Sequence, residues 1–210
     1  IKSLGQRKYE NSIDVEEFEV SFDRNHLILK KVNLSSISRQ EPEKFARKIE
    51  VFLKRVNDVG MLTSNPYVLR VIGCQLVDDF LYILSEKSPA KPLLQTLKSV
   101  PSKLSELKVI LKQLVVGLNH IHQSNFIHKD LRLDTLYYDQ TTNIIQIGDT
   151  HLHHELNILL HREDFPTPNS WLPSELKERV QATRKTDVWF LGVIFIQLLY
   201  GLDINTKYPN

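Results

Sequence analysis

The run from Phe126 to Thr135 brings together side chains that suit phosphoryl-transfer chemistry. Asp130 supplies a carboxylate that can position a hydroxyl group, and Arg132 supplies a cation that can stabilise a transferring phosphate. A second carboxylate, Asp149, follows an apolar run and could bind a metal ion. Thr135 closes the run with a hydroxyl. These residue types are candidates for a site that handles phosphate groups, and the segments around them decide how the run is placed.

Several flanking elements must position this run. The spacing predicts a helix over Leu104–Gln123, because apolar residues recur every three or four positions. They are Leu104, Leu107, Leu111, Leu114, Val115, Leu118 and Ile121. Ile144–Ile147 is typical of a strand that leads towards Asp149.

These segments resemble a protein kinase in their order and spacing. Residues 128–135 resemble the catalytic-loop pattern H-R-D-x-x-x-x-N, with Lys129 replacing Arg and Thr135 replacing Asn. The resemblance implies that Asp130 stands where kinases position the substrate hydroxyl, and that Thr135 replaces the asparagine that holds the second magnesium ion and is a weaker ligand for it. The segment 149–151 resembles Asp-Phe-Gly, 173–175 resembles Ala-Pro-Glu, and 187–192 resembles the start of the buried central helix of the large lobe.

The resemblance implies an α+β, bilobal, protein-kinase-like fold. We expect residues 1–85 to form a small β-rich lobe with one main helix. Residues 86–210 should form a larger, mostly helical lobe, truncated after its central helix.

The first 35 residues depart from the kinase pattern. Gly5 is the only glycine before Gly60, so the Gly-rich loop that covers ATP phosphates is missing. The segment Ile13–Phe22 alternates like a strand but is rich in acidic residues, and we expect those side chains to form a solvated face.

The strand Leu27–Val32 resembles the kinase strand Val-Ala-Ile-Lys. Lys30 would match the lysine that contacts the α- and β-phosphates, with Lys31 as the alternative. Ile28 then replaces the alanine above the adenine ring, or Leu29 replaces it in the other register, and either residue lowers that ceiling.

A helix is predicted over Glu41–Arg55, and Glu50 is the first choice for the helix glutamate that pairs with Lys30. Glu43 and Glu41 compete with it for this role. We expect strands over Tyr67–Val77 and Phe80–Leu84 to form a pair.

The resemblance makes Ser85 the gatekeeper and Glu86 the hinge acid. It places Tyr137 at the floor of the adenine site, where kinases have an apolar residue. With Ile28 above it, Tyr137 could fill the pocket. Binding of ATP and magnesium is therefore expected to be absent or weak, and no cofactor is predicted.

The remaining substitutions also weaken the catalytic pattern. Arg132 stands where kinases have a lysine, and its planar guanidinium is not equivalent to an ammonium. Thr150 and His151 replace the Phe and Gly of Asp-Phe-Gly, so we expect no active residue in this set. The resemblance implies structural roles for His128, Glu175, Asp187 and Trp189, in which Asp187 anchors the catalytic loop and Glu175 is expected to lack its arginine partner.

Composition excludes few classes of protein. The 210 residues are 41% hydrophobic with a net charge of +2, so neither a nucleic-acid nor a membrane partner is demanded. One cysteine, Cys74, and no visible signal peptide favour the cytoplasm. The apolar run Val188–Tyr200 is too short to cross a bilayer. The histidines at 151, 153, 154 and 161 lack the ligand spacing of a familiar zinc site, so no metal is predicted.

A narrower resemblance comes from Asn119–Leu131 together with Ile147–Leu152. These runs are similar to the degenerate kinase domain of the fungal general-control kinases, which phosphorylate the alpha subunit of translation initiation factor two during amino-acid starvation. In that family the pseudokinase domain precedes a serine/threonine kinase domain and helps to activate it.

The resemblance thus implies an inactive domain whose partner is an adjacent kinase domain in the same protein. A homodimer stays open. A weakly active kinase, an ATP-sensing switch and a pseudokinase scaffold of another pathway are the alternatives.

Overall fold

The computed structural model describes residues 2–9, 13–22, 25–40, 42–60, 64–96, 103–148, 171–178 and 180–201. These residues separate into two compact units. The sheet unit contains Leu69–Lys87 and the described residues before 64, and the helical unit contains Ser64–Val68 and the described residues from 88 onwards. The lobes predicted from the sequence, 1–85 and 86–210, placed Ser64–Val68 in the first lobe, whereas the structure places these residues in the helical unit. These residues belong to the helical unit because the Tyr67 carbonyl accepts a hydrogen bond from the Ile147 amide.

The sheet unit is built on a five-stranded antiparallel sheet with the order β1-β2-β3-β5-β4. Its strands are β1 (Lys2–Tyr9), β2 (Ile13–Phe22), β3 (Asn25–Asn33), β4 (Val71–Val77) and β5 (Phe80–Glu86). In this register Glu17 of β2 lies directly opposite Lys30 of β3, and Ile83 of β5 lies on the other side of Lys30. The strand predicted over Tyr67–Val77 begins only at Val71.

Two helices accompany this sheet, α1 (Ser35–Gln40) and α2 (Pro42–Gly60). Helix α2 extends beyond the predicted Glu41–Arg55. Its buried residues follow helical spacing and pack with one face of the sheet, which makes the core of this unit. That core contains Val15, Val32, Leu34, Phe45, Ile49, Phe52, Val56, Val71, Leu81 and Ile83.

The helical unit holds a second, three-stranded sheet with the order β6-β7-β8. Its elements are β6 (Lys91–Pro92), α3 (Leu93–Thr96), α4 (Leu104–Gln123), β7 (Leu136–Asp139), β8 (Ile144–Ile147), α5 (Ser174–Lys177) and α6 (Arg184–Tyr200). The Gln113 side chain ties α4 to the β7–β8 hairpin, since it donates to the Asn143 carbonyl and accepts from the Ile145 amide. The α+β class predicted from the sequence is confirmed.

Helix α6 differs from the buried central helix that was expected. Its apolar residues occupy every side, and α4 packs against it. Asp187, Phe190 and Ile194 are buried, whereas Trp189 and Tyr200 are exposed. The helix begins at a capping box, in which the Thr183 hydroxyl accepts from the Lys185 amide and the Thr186 hydroxyl accepts from the Thr183 amide.

No helix in the described part of the chain combines the length and the apolar character that a membrane span requires.

Candidate functional site

Asp187 organises the loop that carries the candidate catalytic residues. This carboxylate is fully buried and accepts hydrogen bonds from the backbone amides of His128 and Lys129, at 2.8 and 2.7 Å. The His122 ring nitrogen Nε2 lies 2.7 Å from the same carboxylate. Helix α6 therefore fixes the loop through one side chain, and helix α4 contributes the histidine.

The loop conformation depends on this anchor. Lys129 has φ of 68°, in the left-handed region that a side chain with a Cβ atom disfavours. The buried ring of His128 lies 2.9 Å from the Gly148 carbonyl through Nε2, which links the loop to the segment after β8. The hydrogen bonds from the two backbone amides to Asp187 hold the unfavourable turn in place.

Asp130, the candidate for positioning a hydroxyl, is only 4% exposed. Its Oδ1 atom lies 3.0 Å from Nε of Arg132, and Nη2 of Arg132 lies 3.2 Å from Asp134. The Asp130–Arg132 contact is an ion pair without hydrogen-bond geometry, and neither oxygen of the Asp130 carboxylate has a hydrogen-bond partner. Arg132 thus neutralises the carboxylate that would have to face a substrate.

Thr135 replaces the asparagine expected at a magnesium site, and its side chain is committed to the loop. Its hydroxyl accepts from the Arg132 amide at 3.0 Å and donates to the Arg132 carbonyl at 3.0 Å. The residue is buried, and its own carbonyl accepts from the Gly148 amide. The hydroxyl therefore serves the turn itself.

Lys30 on β3 is the buried member of the two candidate lysines. Its Nζ atom lies 3.9 Å from Oε1 of Glu17, and both side chains are less than one-tenth exposed. Lys31 is more exposed, pairs with Glu16 at 3.3 Å and lies over the Phe80 ring. Lys30 is thus the candidate lysine whose charge is buried in the fold beside a carboxylate.

The acidic segment of β2 is not the solvated face that was predicted. Glu17 shares the core-facing side of the strand with Val15, since strand residues two apart point to the same face, and both are buried. Glu19 pairs with Lys87 at 2.7 Å. The hydrogen bond from Lys87 lowers the pKa of the Glu19 carboxyl.

The predicted pairing of Lys30 with Glu50 is not found. Glu50 is exposed on α2, one position after the buried Ile49, so it points away from the core in which Lys30 lies. Glu43, the competing choice, is exposed as well, and Glu41 lies outside the described residues. The glutamate opposite Lys30 comes from a neighbouring strand, not from the helix.

The residues predicted for an adenine site lie in separate units. In the sheet unit Ile28 is half-buried opposite Ser85, and the Glu86 carboxylate accepts from the Arg70 amide and pairs with its guanidinium. In the helical unit Tyr137 is half-buried on β7 opposite Gln146. Filling of the pocket by Ile28 and Tyr137 stays a prediction.

Glu175 and Trp189 hold the segment before α6. The Thr186 hydroxyl donates to Glu175 at 2.7 Å, and this hydrogen bond lowers the pKa of the Glu175 carboxyl. Trp189 Nε1 donates to the Trp171 carbonyl at 2.8 Å, although half of its side chain is exposed. Thr186 thus serves as a partner for Glu175, where the sequence interpretation expected a missing arginine.

Asp149, Thr150 and His151 lie outside the described residues, as do the histidines at 153, 154 and 161. Within the part of the chain that the structure covers, no group of His, Cys, Asp and Glu could hold a metal ion.

Sequence reasoning missed Glu17, His122 and Thr186. The alternation of β2 carried a signal for Glu17, since a residue two positions from a buried valine faces the core. His122 and Thr186 act over long sequence separations, so no local pattern could have paired them with Asp187 and Glu175.

Comparison with known proteins agrees with this geometry. The sequence profile of the Protein kinase domain matches residues 15–207. The serine/threonine-protein kinase pakH of Dictyostelium discoideum is 25% identical over 197 residues, which cover 91% of this chain and 38% of that protein. The serine/threonine-protein kinase sid1 of Schizosaccharomyces pombe is 24% identical over 148 residues, or 69% of this chain and 31% of that protein.

The chain spans less than two-fifths of the length of these relatives. The match nevertheless covers most of the chain, and it confirms the kinase-like fold predicted from the catalytic-loop pattern. The chain belongs to the protein kinase domain family.

Proposed function

We propose that this chain is a catalytically inactive kinase-like domain that allosterically activates an adjacent protein kinase domain of the same protein. The resemblance to the general-control kinases assigns this activity to the cytoplasmic starvation response that controls translation initiation. The proposal includes no resident ATP or magnesium and no direct contact with nucleic acid or membrane.

The observation that supports inactivity is the self-paired catalytic loop. Asp130 is buried and ion-paired with Arg132, so its carboxylate is not presented to a hydroxyl group. The Thr135 hydroxyl is hydrogen-bonded to the backbone of Arg132 and is a poor substitute for an asparagine oxygen on magnesium. The anchor at Asp187 is intact, so the loop keeps its shape without its chemistry.

Activation of a partner requires that this domain bind the active state of the partner more tightly than the inactive state. A tenfold shift in that equilibrium needs about 1.4 kcal/mol of differential affinity. A few well-packed contacts on the surface of a stable fold supply energies of this size, and none of them needs a nucleotide.

A weakly active kinase is the second candidate. Lys30, Asp130 and Asp149 are retained and would act with one magnesium ion, and the matching relatives are named as serine/threonine kinases. In this case Arg132 would have to release Asp130 during each catalytic cycle.

A titration and an activity assay separate the two candidates. The chain is titrated with ATP, with and without magnesium, by calorimetry and by thermal melting. A true binder gains about 2.7 kcal/mol at a hundredfold excess over its dissociation constant, and we expect no heat and no melting shift at millimolar ATP.

The same preparation is then added to the kinase domain of the protein, and we expect the rate of phosphate transfer by that domain to rise. Magnesium-dependent ATP binding together with phosphate transfer by the isolated chain would contradict the proposal. Failure to raise the rate of the kinase domain would contradict the activating role alone.

A further inference from the structure

The water-facing side of α4 carries a compact patch of apolar and basic side chains. Lys112 lies at its centre, and the residues three and four positions away from it are Lys108, Val109, Val115 and Val116. The three valines are 44, 51 and 41% exposed, in chain order, and both lysines are exposed. We call these five residues the α4 patch. The opposite face of the helix is buried, and α4 contacts β8 and α6.

The composition of the α4 patch does not favour a helix surface that faces only water. Valine is a weaker helix former than alanine, glutamate or glutamine, because its branched side chain loses rotamer freedom. Lys108 and Lys112 are like charges four positions apart, which also lowers the stability of a helix. No residue three or four positions from either lysine is acidic. Residues that oppose local stability in this way are expected where a surface has a function.

The exposed side of α2 differs in both respects. Of the α2 side chains that the structure describes, Val51 is the only large apolar one that is exposed. Arg47 and Lys54 each follow a glutamate, Glu43 and Glu50, by four positions, which places a carboxylate within reach on the same helix. The lysines of the α4 patch have no such neighbour, so their charges are left for another molecule.

We propose that the α4 patch is the docking surface for an acidic amphipathic helix of the adjacent kinase domain. Aliphatic side chains of that helix would cover the three valines and remove their apolar area from water. Carboxylates placed beside them would pair with Lys108 and Lys112, which fixes the register of the contact and speeds association. The inference rests on the proposed function, because it names the surface through which this domain would bind its partner.

The chemistry of the patch disfavours the other occupants. In a second copy of the chain, Lys108 and Lys112 would meet the same two lysines, and like charges across an interface cost affinity. The phosphates of a nucleic acid would leave the three valines uncovered. Helices that bind a lipid surface insert long or aromatic side chains such as Leu, Phe and Trp, whereas this patch offers only valines.

The test compares two matched double variants. Lys112→Gln/Val115→Thr changes an exposed lysine and a half-exposed valine three positions apart on α4, and Lys54→Gln/Val51→Thr changes the same residue types on α2. Binding of each chain to the kinase domain of the protein is measured by calorimetry. We expect the α4 variant to bind about tenfold more weakly than the wild type, which corresponds to about 1.4 kcal/mol, and the α2 variant to bind equally well.

Two further readouts separate docking from a structural role. The change at Lys112 removes its repulsion with Lys108, so the α4 variant should melt no lower than the wild type although it binds more weakly. Binding of the wild type should weaken as the salt concentration rises from about 0.05 to 0.5 M, and the α4 variant should depend less on salt. If the double variant does not fold, Lys112→Glu alone replaces it.

A folded α4 variant that binds the kinase domain as tightly as the wild type overturns the inference and leaves the proposed activating role standing. An equal loss in the α2 variant also overturns it. Binding through the patch that does not raise the rate of the kinase domain supports the inference and contradicts the activating role, whereas no binding at all contradicts both.

Two controls test the other occupants directly. The wild type and the α4 variant are mixed with vesicles of phosphatidylserine and phosphatidylcholine, and their self-association is measured by sedimentation. We expect no difference between the two chains in either experiment. Vesicle binding or dimerisation that the α4 variant loses would overturn the inference, because a lipid surface or a second copy would then occupy the patch.

Discussion

At the level of single residues, Asp187 is the side chain on which the catalytic loop depends most. Replacement by alanine would leave the buried amides of His128 and Lys129 without an acceptor, and Lys129 would lose the bonds that hold its left-handed backbone. We expect Asp187→Ala to lower the free energy of unfolding by about 3–5 kcal/mol. Denaturant unfolding monitored by circular dichroism measures this loss.

Asp58 provides the matched control, since it is an aspartate exposed on α2. Asp58→Ala should change the free energy of unfolding by no more than about 0.5 kcal/mol. Similar losses in the two variants would show that Asp187 has no special place in the fold.

Cys74 offers a second residue-level prediction. The thiol is half-buried on β4, and this burial raises its pKa to about 11. Because the thiolate is the reactive form, the thiol should resist iodoacetamide at neutral pH and react progressively faster as the pH rises towards that pKa.

Mass spectrometry of the alkylated chain, with glutathione as the reference thiol, tests this expectation. Alkylation of the native chain at neutral pH as fast as glutathione would contradict it, while the unfolded chain should react at the ordinary rate.

Predictability differs among these residues for a physical reason. The roles of Asp187, His128 and Asp130 could be predicted from the resemblance, because their spacing along the chain is itself the motif. Lys30 was wrongly paired with Glu50, which is exposed. The apolar period of a helix shows which of its residues share a face, but it does not show which strand residues that face meets. Glu17, the glutamate that lies opposite Lys30, is placed there by the register between two strands, which the sequence specifies through its apolar alternation and the turn geometry and not through a local motif.

At the level of elements, two glycines in helices separate intrinsic propensity from packing. A Cβ atom at Gly117 in α4 would lie 2.9 Å from the Tyr67 carbonyl oxygen, and that oxygen already accepts from the Ile147 amide. Gly192 in α6 has nothing within 4 Å of the same position. Alanine should therefore help at one site and harm at the other.

We expect Gly192→Ala to raise the free energy of unfolding by up to about 1 kcal/mol through helix propensity and the unfolded state. Gly117→Ala should lower it by about 1–3 kcal/mol, because overpacking outweighs the same propensity gain. Thermal melting of the two variants side by side measures the difference. A stabilised Gly117→Ala variant would show that the Tyr67 segment can move away without loss.

The elements themselves were predicted unevenly. Helix α4 begins and ends at the predicted residues, since its apolar period is strong and Asn125, with φ of 61°, terminates it. Its buried face was only partly predicted, because Leu104 and Val115 are exposed while Ile110 and Gly117 are buried. Apolar character states what can be buried, and only the packing partners decide what is.

At the level of the whole molecule, each unit has its own reason to be stable without a ligand. The sheet unit has an apolar core against α2, and it neutralises its buried lysine internally. The helical unit holds its catalytic loop through Asp187 and balances Asp130 with Arg132. In each unit a buried charge thus has an oppositely charged side chain within 4 Å, and the proposed role, which is exerted through the surface, adds no further requirement to this arrangement.

The proposed role predicts the effect of Asp130→Asn in the complete protein, which in this proposal includes an adjacent kinase domain. Asparagine has nearly the same shape as aspartate but cannot accept a proton as a carboxylate does. In a working kinase this change would reduce phosphate transfer by a factor of about a hundred or more, the scale of a lost general base. Since the proposed domain acts by binding, we expect the overall rate to change by less than about twofold.

The assay follows phosphate transfer by the complete protein, with Asp187→Ala as the companion variant. Loss of Asp187 should reduce activation because the loop and its surroundings unfold, so the two variants together separate chemistry from structure. A hundredfold loss in Asp130→Asn, with an unchanged melting temperature, would instead place catalysis in this domain. In that case the Asp130–Arg132 ion pair would belong to a resting state, and the enzyme would have to break this pair before phosphate transfer.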